Sequence, residues 1–361
     1  MSSTAMKGLA QTVLGPVRPE DLGLTMMHEH LLTDLSRILD VPSDPEDRAR
    51  STESIALSNL SWTIMNGMRN RDNLVLDDCE LAVMEARVFK QAGGGTIVDV
   101  TTADLGRNPL ALRDIAERTG LHIVMATGFY TELFHPADMD DRSEADIAGE
   151  IVRDVTVGVD GTGIKAGIIG ELGCSWPLRA NEAKVLRASA RAQRETGAPI
   201  TIHPGRHIDA PFEILDVLDK AGADIGRVIM GHMERTNLPL DRLLDLAQRG
   251  CYLEYDWFGE VRPTFPYGRS DAYVADKQFA VDVPSDGERL KTLSWLIAKG
   301  FEDRILVSQD VCFKTRLTAY GGVGYAHIAK YVRRWMPEMG ITPEAIEKIL
   351  FLNPRRVLQF A

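Results

Sequence analysis

The stretch Ala198-Pro199-Ile200-Thr201-Ile202-His203-Pro204-Gly205-Arg206 is a short apolar, β-branched run that ends in a histidine and is closed by a Pro-Gly turn. That is the pattern of a buried strand. It lies between two charged segments of helical period, Asn181 to Thr196 and Pro211 to Lys220. The same unit repeats along the chain. Strands are expected at Leu24 to His28, Thr96 to Val100, His122 to Ala126, Lys165 to Glu171, Pro199 to His203, Arg227 to His232, Cys251 to Tyr255 and Arg304 to Ser308. Helices are expected at Asp78 to Ala92, Leu110 to Arg118, Ala145 to Val155, Asn181 to Thr196, Pro211 to Lys220, Leu240 to Gln248, Asp286 to Lys299 and Pro343 to Leu350.

Alternation of this kind builds parallel βα units, and eight of them predict an α/β fold, a closed (β/α)8 TIM barrel forming a single domain over residues 1–361. An open doubly wound sheet is the competing architecture. Local chemistry supports the helix ends: Asn108-Pro109, Ala210-Pro211 and Thr342-Pro343 put proline in a first turn, while Gly93, Gly222 and Gly300 follow last turns. Gln11 to Asp21 reads as a short hairpin closing the barrel bottom. Two connections, Leu31 to Asp77 after the first strand and Phe258 to Asp286 after the seventh, are too long for bare turns and read as lid or specificity loops.

A hydrophobic fraction of 44% with 26% charged residues excludes collagen-like, disordered and membrane-spanning chains. The formal net charge of -11 repels phosphate backbones and anionic lipid, which argues against nucleic-acid and membrane-surface partners. Cys79, Cys174, Cys251 and Cys312 lie far apart with no C-x-x-C pair, so free thiols in a reducing compartment are expected. The N-terminal residues show no leader pattern, and the cytoplasm is the expected location.

The residues that carry chemistry gather at strand ends. In Met27-His28-Glu29-His30, two histidines spaced i, i+2 project to one side of an extended chain and can reach one ion. The fourth strand ends at Glu171, the fifth at His203 and the sixth at His232, and the eighth is followed by Asp310. A barrel brings all of these to one mouth, where catalytic groups sit. Six nitrogen and oxygen donors exceed the needs of one tetrahedral zinc and suit two divalent ions sharing a bridging carboxylate and hydroxide. Separate satisfaction of each histidine by backbone carbonyls is the bland alternative, and it would have to hold four times over. His122 and His327 read as packing or surface residues, and His135 and His207 as loop residues, with His207 near the site.

At these residues the chain resembles the amidohydrolase superfamily and, more closely, the phosphotriesterase family and its branch of phosphotriesterase-related proteins. The matching runs are Gln11 to Gly15, Thr25 to His30, Gly170 to Pro177, Ile202 to Arg206, Gly250 to Asp256 and Glu302 to Leu306. Organophosphate-degrading members bridge their metals with a carboxylated lysine near the end of strand four. This sequence has Glu171 there, and Lys165 falls at the other end of the strand, so the resemblance makes Glu171 the bridge.

It further implies that His28, His30 and Asp310 hold one ion, His203 and His232 the other, and that a metal-bridging hydroxide attacks a carbonyl. Asp310 would accept the proton and pass it to the leaving group, so Asp310 and Glu171 are the expected catalytic carboxylates. Zinc is the expected ion, with manganese also suited to these donors. Arg206 and Arg235 are placed to pair with a carboxylate or sulfonate, and Tyr130 and Tyr255 to bond the reacting carbonyl or line the pocket. Trp176, Trp257 and Lys314 lie where they could shape it. The expected activity is amide hydrolysis of a small N-acylated amino acid or amino-sulfonic acid. A lactonase or carboxylic-ester hydrolase is the alternative, with phosphotriester hydrolysis and metal-free binding below it. The expected partner is a small-molecule substrate, and a homodimer is the assembly expected by default.

Overall fold

The computed structural model describes residues 6–236, 238–262, 264–265 and 281–361. Eight parallel strands form one sheet in chain order: Leu24–Glu29, Gly94–Asp99, His122–Thr127, Ile168–Gly173, Ile200–His203, Val228–Met230, Tyr252–Tyr255 and Ile305–Val307. Each pairs with the next, and the sheet curls until the first and eighth strands meet as the seam of a nearly closed TIM barrel. Helices including Cys79–Gln91, Pro109–Thr119, Glu144–Thr156, Ala180–Thr196, Ala210–Lys220, Leu240–Gln248 and Asp286–Ala298 surround it. No helix among the described residues is long and apolar enough to cross a membrane.

Period-two alternation sorts the strand residues into two cores. Ile97, Ile123, Ile169, Ile202 and Leu253 face outward against helix residues such as Ile115, Ile151, Leu186 and Leu246. Val98, Val124, Ile168, Ile229 and Leu306 pack together as the inner layer. Two residues further along that inner face, Tyr252 and Leu306 give way to Glu254 and Ser308, so polar groups of the mouth rest on an apolar floor.

The strand pair Ala10–Thr12 and Gly15–Val17 forms the expected hairpin. Val13 N donates to Ile123 O, and a Cβ on Gly167 would meet Gln11 O at 2.2 Å, so the hairpin plugs the bottom under strands three and four.

The connection from Leu31 to Asp77 carries more structure than a loop: helices Pro45–Arg50 and Leu60–Met65, and the antiparallel pair Thr33–Asp34 with Val75–Leu76. Pro45–Arg50 is started by Asp44 accepting from Glu46 N and Asp47 N and buries none of its side chains, so no apolar period betrays it. Much of Phe258 to Asp286 lies outside the described residues. The final helix, Pro343–Glu347, continues through a π turn, Lys348–Leu352, into Asn353–Leu358.

A third apolar cluster, with Leu35, Ile38, Met68, Tyr130, Trp257 and Phe313, roofs the mouth. Tyr130 is fixed there by close backbone approach: a Cβ at Gly173 would lie 2.1 Å from Thr131 N and 2.3 Å from Tyr130 C. Gly173→Ala should therefore destabilise the protein by about 1–3 kcal/mol in urea unfolding, the usual cost of overpacking against backbone. An unchanged midpoint would contradict this account of how Tyr130 is placed.

Candidate metal centre

Glu171 stands at the middle of the mouth. Its Oε2 is 3.3 Å from His28 Nε2, 2.9 Å from His203 Nδ1 and 3.3 Å from His232 Nε2, and its Oε1 is 3.3 Å from His30 Nε2. Asp310 Oδ1 lies 3.5 Å from His30 Nε2 and 3.9 Å from His28 Nε2. All six residues are buried. Their donor atoms group as His28, His30 and Glu171, as Glu171, His203 and His232, and as His28, His232 and Asp310, each trio within 4.8 Å. Glu171 belongs to two of these trios. His28 Nε2 is buried beside a carboxylate oxygen yet makes no well-formed hydrogen bond, as expected of an atom directed at a cation. The donor set therefore fits divalent ions.

The far sides of three of the four rings are held by partners. His28 Nδ1 faces Glu254 Oε2 at 3.3 Å, His30 Nδ1 faces Thr101 Oγ1 at 2.8 Å, and His232 Nδ1 faces Asp256 Oδ1 at 2.7 Å. Such contacts fix the tautomer and leave Nε2 inward. Tyr130 Oη lies 3.1 Å from His203 Nδ1. His232 and Asp310 have φ of 53° and 51°, left-handed backbone that a non-glycine residue adopts only when its surroundings impose it. Asp256 Oδ2 accepts His232 N at 2.8 Å, and His28 O accepts Asp310 N at 3.1 Å.

The charges are tightly linked. Burial depresses the His30 imidazolium, but hydrogen bonds and charge from Asp310 and Glu171 outweigh it and hold the ring up to about 10. His28 is raised well above its ordinary value: burial opposes, and the charges of Glu171 and Asp256 prevail. Burial would raise Glu171, yet the charge of His28 and hydrogen bonds from His203 and His232 hold it well below the carboxylate range. Burial and the Arg235 charge push His203 well down. Glu254, buried, is pushed up to about 7.

Above the donors lies a cavity that opens at the barrel mouth. Arg206, Arg235, Tyr130, Trp257, Leu35, Ile38, Met68 and Phe313 are among the residues that line it. Arg235 Nη2 donates to Pro204 O at 3.4 Å, and its guanidinium lies 5.4 Å over the Trp257 ring. At the rim Glu260 joins Arg262 and Arg316 at 2.6 and 2.8 Å.

Tyr255 lies in the outer core and not on the cavity. Trp176 stacks on His207 with ring centroids 4.3 Å apart, outside the cavity lining, and Lys314 pairs with Asp72. His327 binds Asp286, and His135, buried against Tyr130 O, is pushed down to about 4 by burial. Sequence reasoning missed Glu254 and Asp256. Their spacing on the seventh strand is the signal that finds them, since i and i+2 share the barrel's inner face.

Parallel strands closed round a buried histidine and carboxylate donor set define a hydrolase of the amidohydrolase superfamily with a metal site. The profile of the Phosphotriesterase family matches residues 8–358, and the chain belongs to that family. It is similar to the N-acetyltaurine hydrolases of Xenopus tropicalis, 42% identical over 358 residues, and of Homo sapiens, 41% identical over 358 residues, with 99% of each chain covered in both cases. Among solved structures it is similar to a resiniferatoxin-binding protein from Rhodobacter sphaeroides, with TM-score 0.91 and 36% identity, covering 99% of this chain and 98% of that one. The phosphotriesterase homology protein from Escherichia coli, with phosphate in its active site, gives TM-score 0.72 and 27% identity over 94% of this chain and 99% of that one.

The carboxylates around His28 and His30 favour their protonated forms in the metal-free chain, whereas a ligating imidazole must be neutral. Adding zinc to the metal-free protein at pH 7 should release protons, and binding should tighten from pH 6 to pH 8 as that competition fades. An indicator-dye titration reads both. No proton release would contradict the charge assignment.

Proposed function

We propose that this protein hydrolyses the amide of a small N-acylated amino-sulfonic acid or amino acid, with N-acetyltaurine as the first substrate to test. The observation that carries the reading is the cationic wall beside the metal site. Arg235 is only 4% exposed, its Nε has no partner, and no carboxylate among the described residues pairs with it. A buried guanidinium left in this way favours an anionic ligand. Arg206 lines the same wall. The two cationic side chains follow the fifth and sixth strands, next to His203 and His232, so the substrate's sulfonate or carboxylate would lie on that side. A lactone offers no anion for this wall.

His28, His30 and Asp310 would hold one divalent ion and His203 and His232 the other, with Glu171 between them. When bound, two such ions supply an activated water and polarise the amide carbonyl. The chain's own part is placement and proton transfer. Asp310 Oδ1 faces His28 and His30, while Trp257 Nε1 donates to Oδ2 at 3.0 Å. We assign Oδ2 as the oxygen that takes the proton from the attacking water and hands it to the departing nitrogen. The Tyr130 hydroxyl steadies His203, and Leu35, Ile38, Met68 and Phe313 keep bulk water from the acyl side. Zinc is the ion we favour, with manganese the other that these donors suit. The free cysteines support a reducing, cytoplasmic setting, and a homodimer is the default assembly.

On a panel of N-acetyltaurine, N-acyl amino acids, and γ- and δ-lactones, the acylated anions should give the higher kcat/KM. Lactones turned over as well or better would overturn the substrate class. Arg235→Met should raise KM for N-acetyltaurine about ten- to a hundred-fold, the loss of one charge-assisted hydrogen-bonding partner, with a smaller effect on kcat. An unchanged KM would remove Arg235 from the anion site.

A further inference from the structure

We propose that Glu29, which contributes no donor to any metal-ligand group, is the positioning residue for Asp310. The first and eighth strands share no hydrogen-bonded ladder. Side-chain and loop contacts close the seam instead, and most converge on one carboxylate. Glu29 Oε1 accepts Ser308 Oγ at 2.7 Å, Gln309 N at 2.8 Å and Gln309 Nε2 at 2.8 Å, and Oε2 accepts Val311 N at 2.9 Å. Ser308 Oγ in turn accepts His28 N at 3.0 Å.

The residues on both sides of Asp310, Gln309 and Val311, are thus pinned through their backbone N–H groups to a single buried side chain. Asp310 between them has φ of 51°. Left-handed backbone is unfavourable for a non-glycine residue, so it persists only when flanking contacts over-determine it. Glu29 supplies those contacts, and the result is Asp310 Oδ1 at 3.5 Å from His30 Nε2. Glu29 does not line the cavity, so it acts through Asp310 and not on substrate. A glutamine at position 29 would replace one acceptor oxygen with a donor facing another donor, loosening one side of the grip.

The inference rests on the reading of Asp310 as ligand and proton acceptor, and the test separates the two. The full-length zinc-loaded protein is assayed with N-acetyltaurine as Glu29→Gln, Asp310→Asn, the double variant and Ser308→Ala, and zinc loss to a chelator is timed for each. Glu29→Gln should lower kcat about ten- to a hundred-fold with KM within about threefold, and should speed zinc loss about tenfold, the size of effect known for partners of metal ligands. In the Asp310→Asn background, Glu29→Gln should change the residual kcat by less than about twofold, because its target is already disabled. The chelator measurement needs no substrate and so stands apart from the substrate assignment.

Wild-type kcat and zinc retention in Glu29→Gln would overturn the proposal, as would a further loss of residual activity in the double variant. Full activity in Asp310→Asn would instead overturn the reading of Asp310. If Glu29→Gln does not fold, Ser308→Ala, which removes one donor to the same carboxylate, should lower kcat about threefold to tenfold without moving KM. An unchanged kcat there would also overturn the proposal.

Discussion

The structure depends on one buried carboxylate that faces four imidazoles. Glu171 lies within 3.3 Å of nitrogen atoms from His28, His30, His203 and His232, with Asp310 completing the group. Taking so many ionisable groups out of water is expensive unless each charge has a partner held at a fixed distance. The barrel meets that requirement by construction, since the five strands that carry these residues end on one rim. The inner apolar layer of Val98, Val124, Ile168, Ile229 and Leu306 supports the rim from below, and the apolar roof shields it from above.

Around the donors stands a second set of carboxylates whose work is orientation. Glu254 and Asp256 hold the far sides of His28 and His232, and Glu29 holds the loop that carries Asp310. Both site residues in left-handed backbone, His232 and Asp310, are flanked by contacts of this kind. Glu234 extends the pattern: it accepts Trp257 N at 2.7 Å and pairs with the buried Arg289 at 3.0 Å, tying the seventh-strand loop to helix Asp286–Ala298. The metal-ligating geometry is thus stored in buried ion pairs and hydrogen bonds as much as in the backbone fold.

The barrel and the candidate ligands were legible because both follow from simple periodicity. Apolar runs punctuated by Pro and Gly mark strands, and His28, His203 and His232 stand out as polar residues terminating such runs. Tyr255 shows where that reasoning stopped short. It occupies a strand end, but residues alternate across a strand, so Glu254 and Asp256 face the mouth while Tyr255 packs outward into the helical core. A strand's position is legible from its apolar run, whereas the side a residue faces depends on its parity along that strand. Glu29 was hidden for a different reason, because its partners Ser308, Gln309 and Val311 lie some 280 positions away and only barrel closure brings them together. The helix Pro45–Arg50 was hidden because it buries nothing. Substrate selection is the least legible part, since it belongs to loops whose approach to the mouth is set by tertiary packing.

If six strand-end donors form one site for two ions with Glu171 shared between them, metal content must depend on that carboxylate. Elemental analysis of the purified protein after dialysis, set beside Glu171→Gln, tests it most directly. About two divalent ions per chain are expected in the native protein and about one or fewer once the shared carboxylate is gone. A folded, active protein that holds a single ion, or a Glu171→Gln variant that retains both, would contradict it.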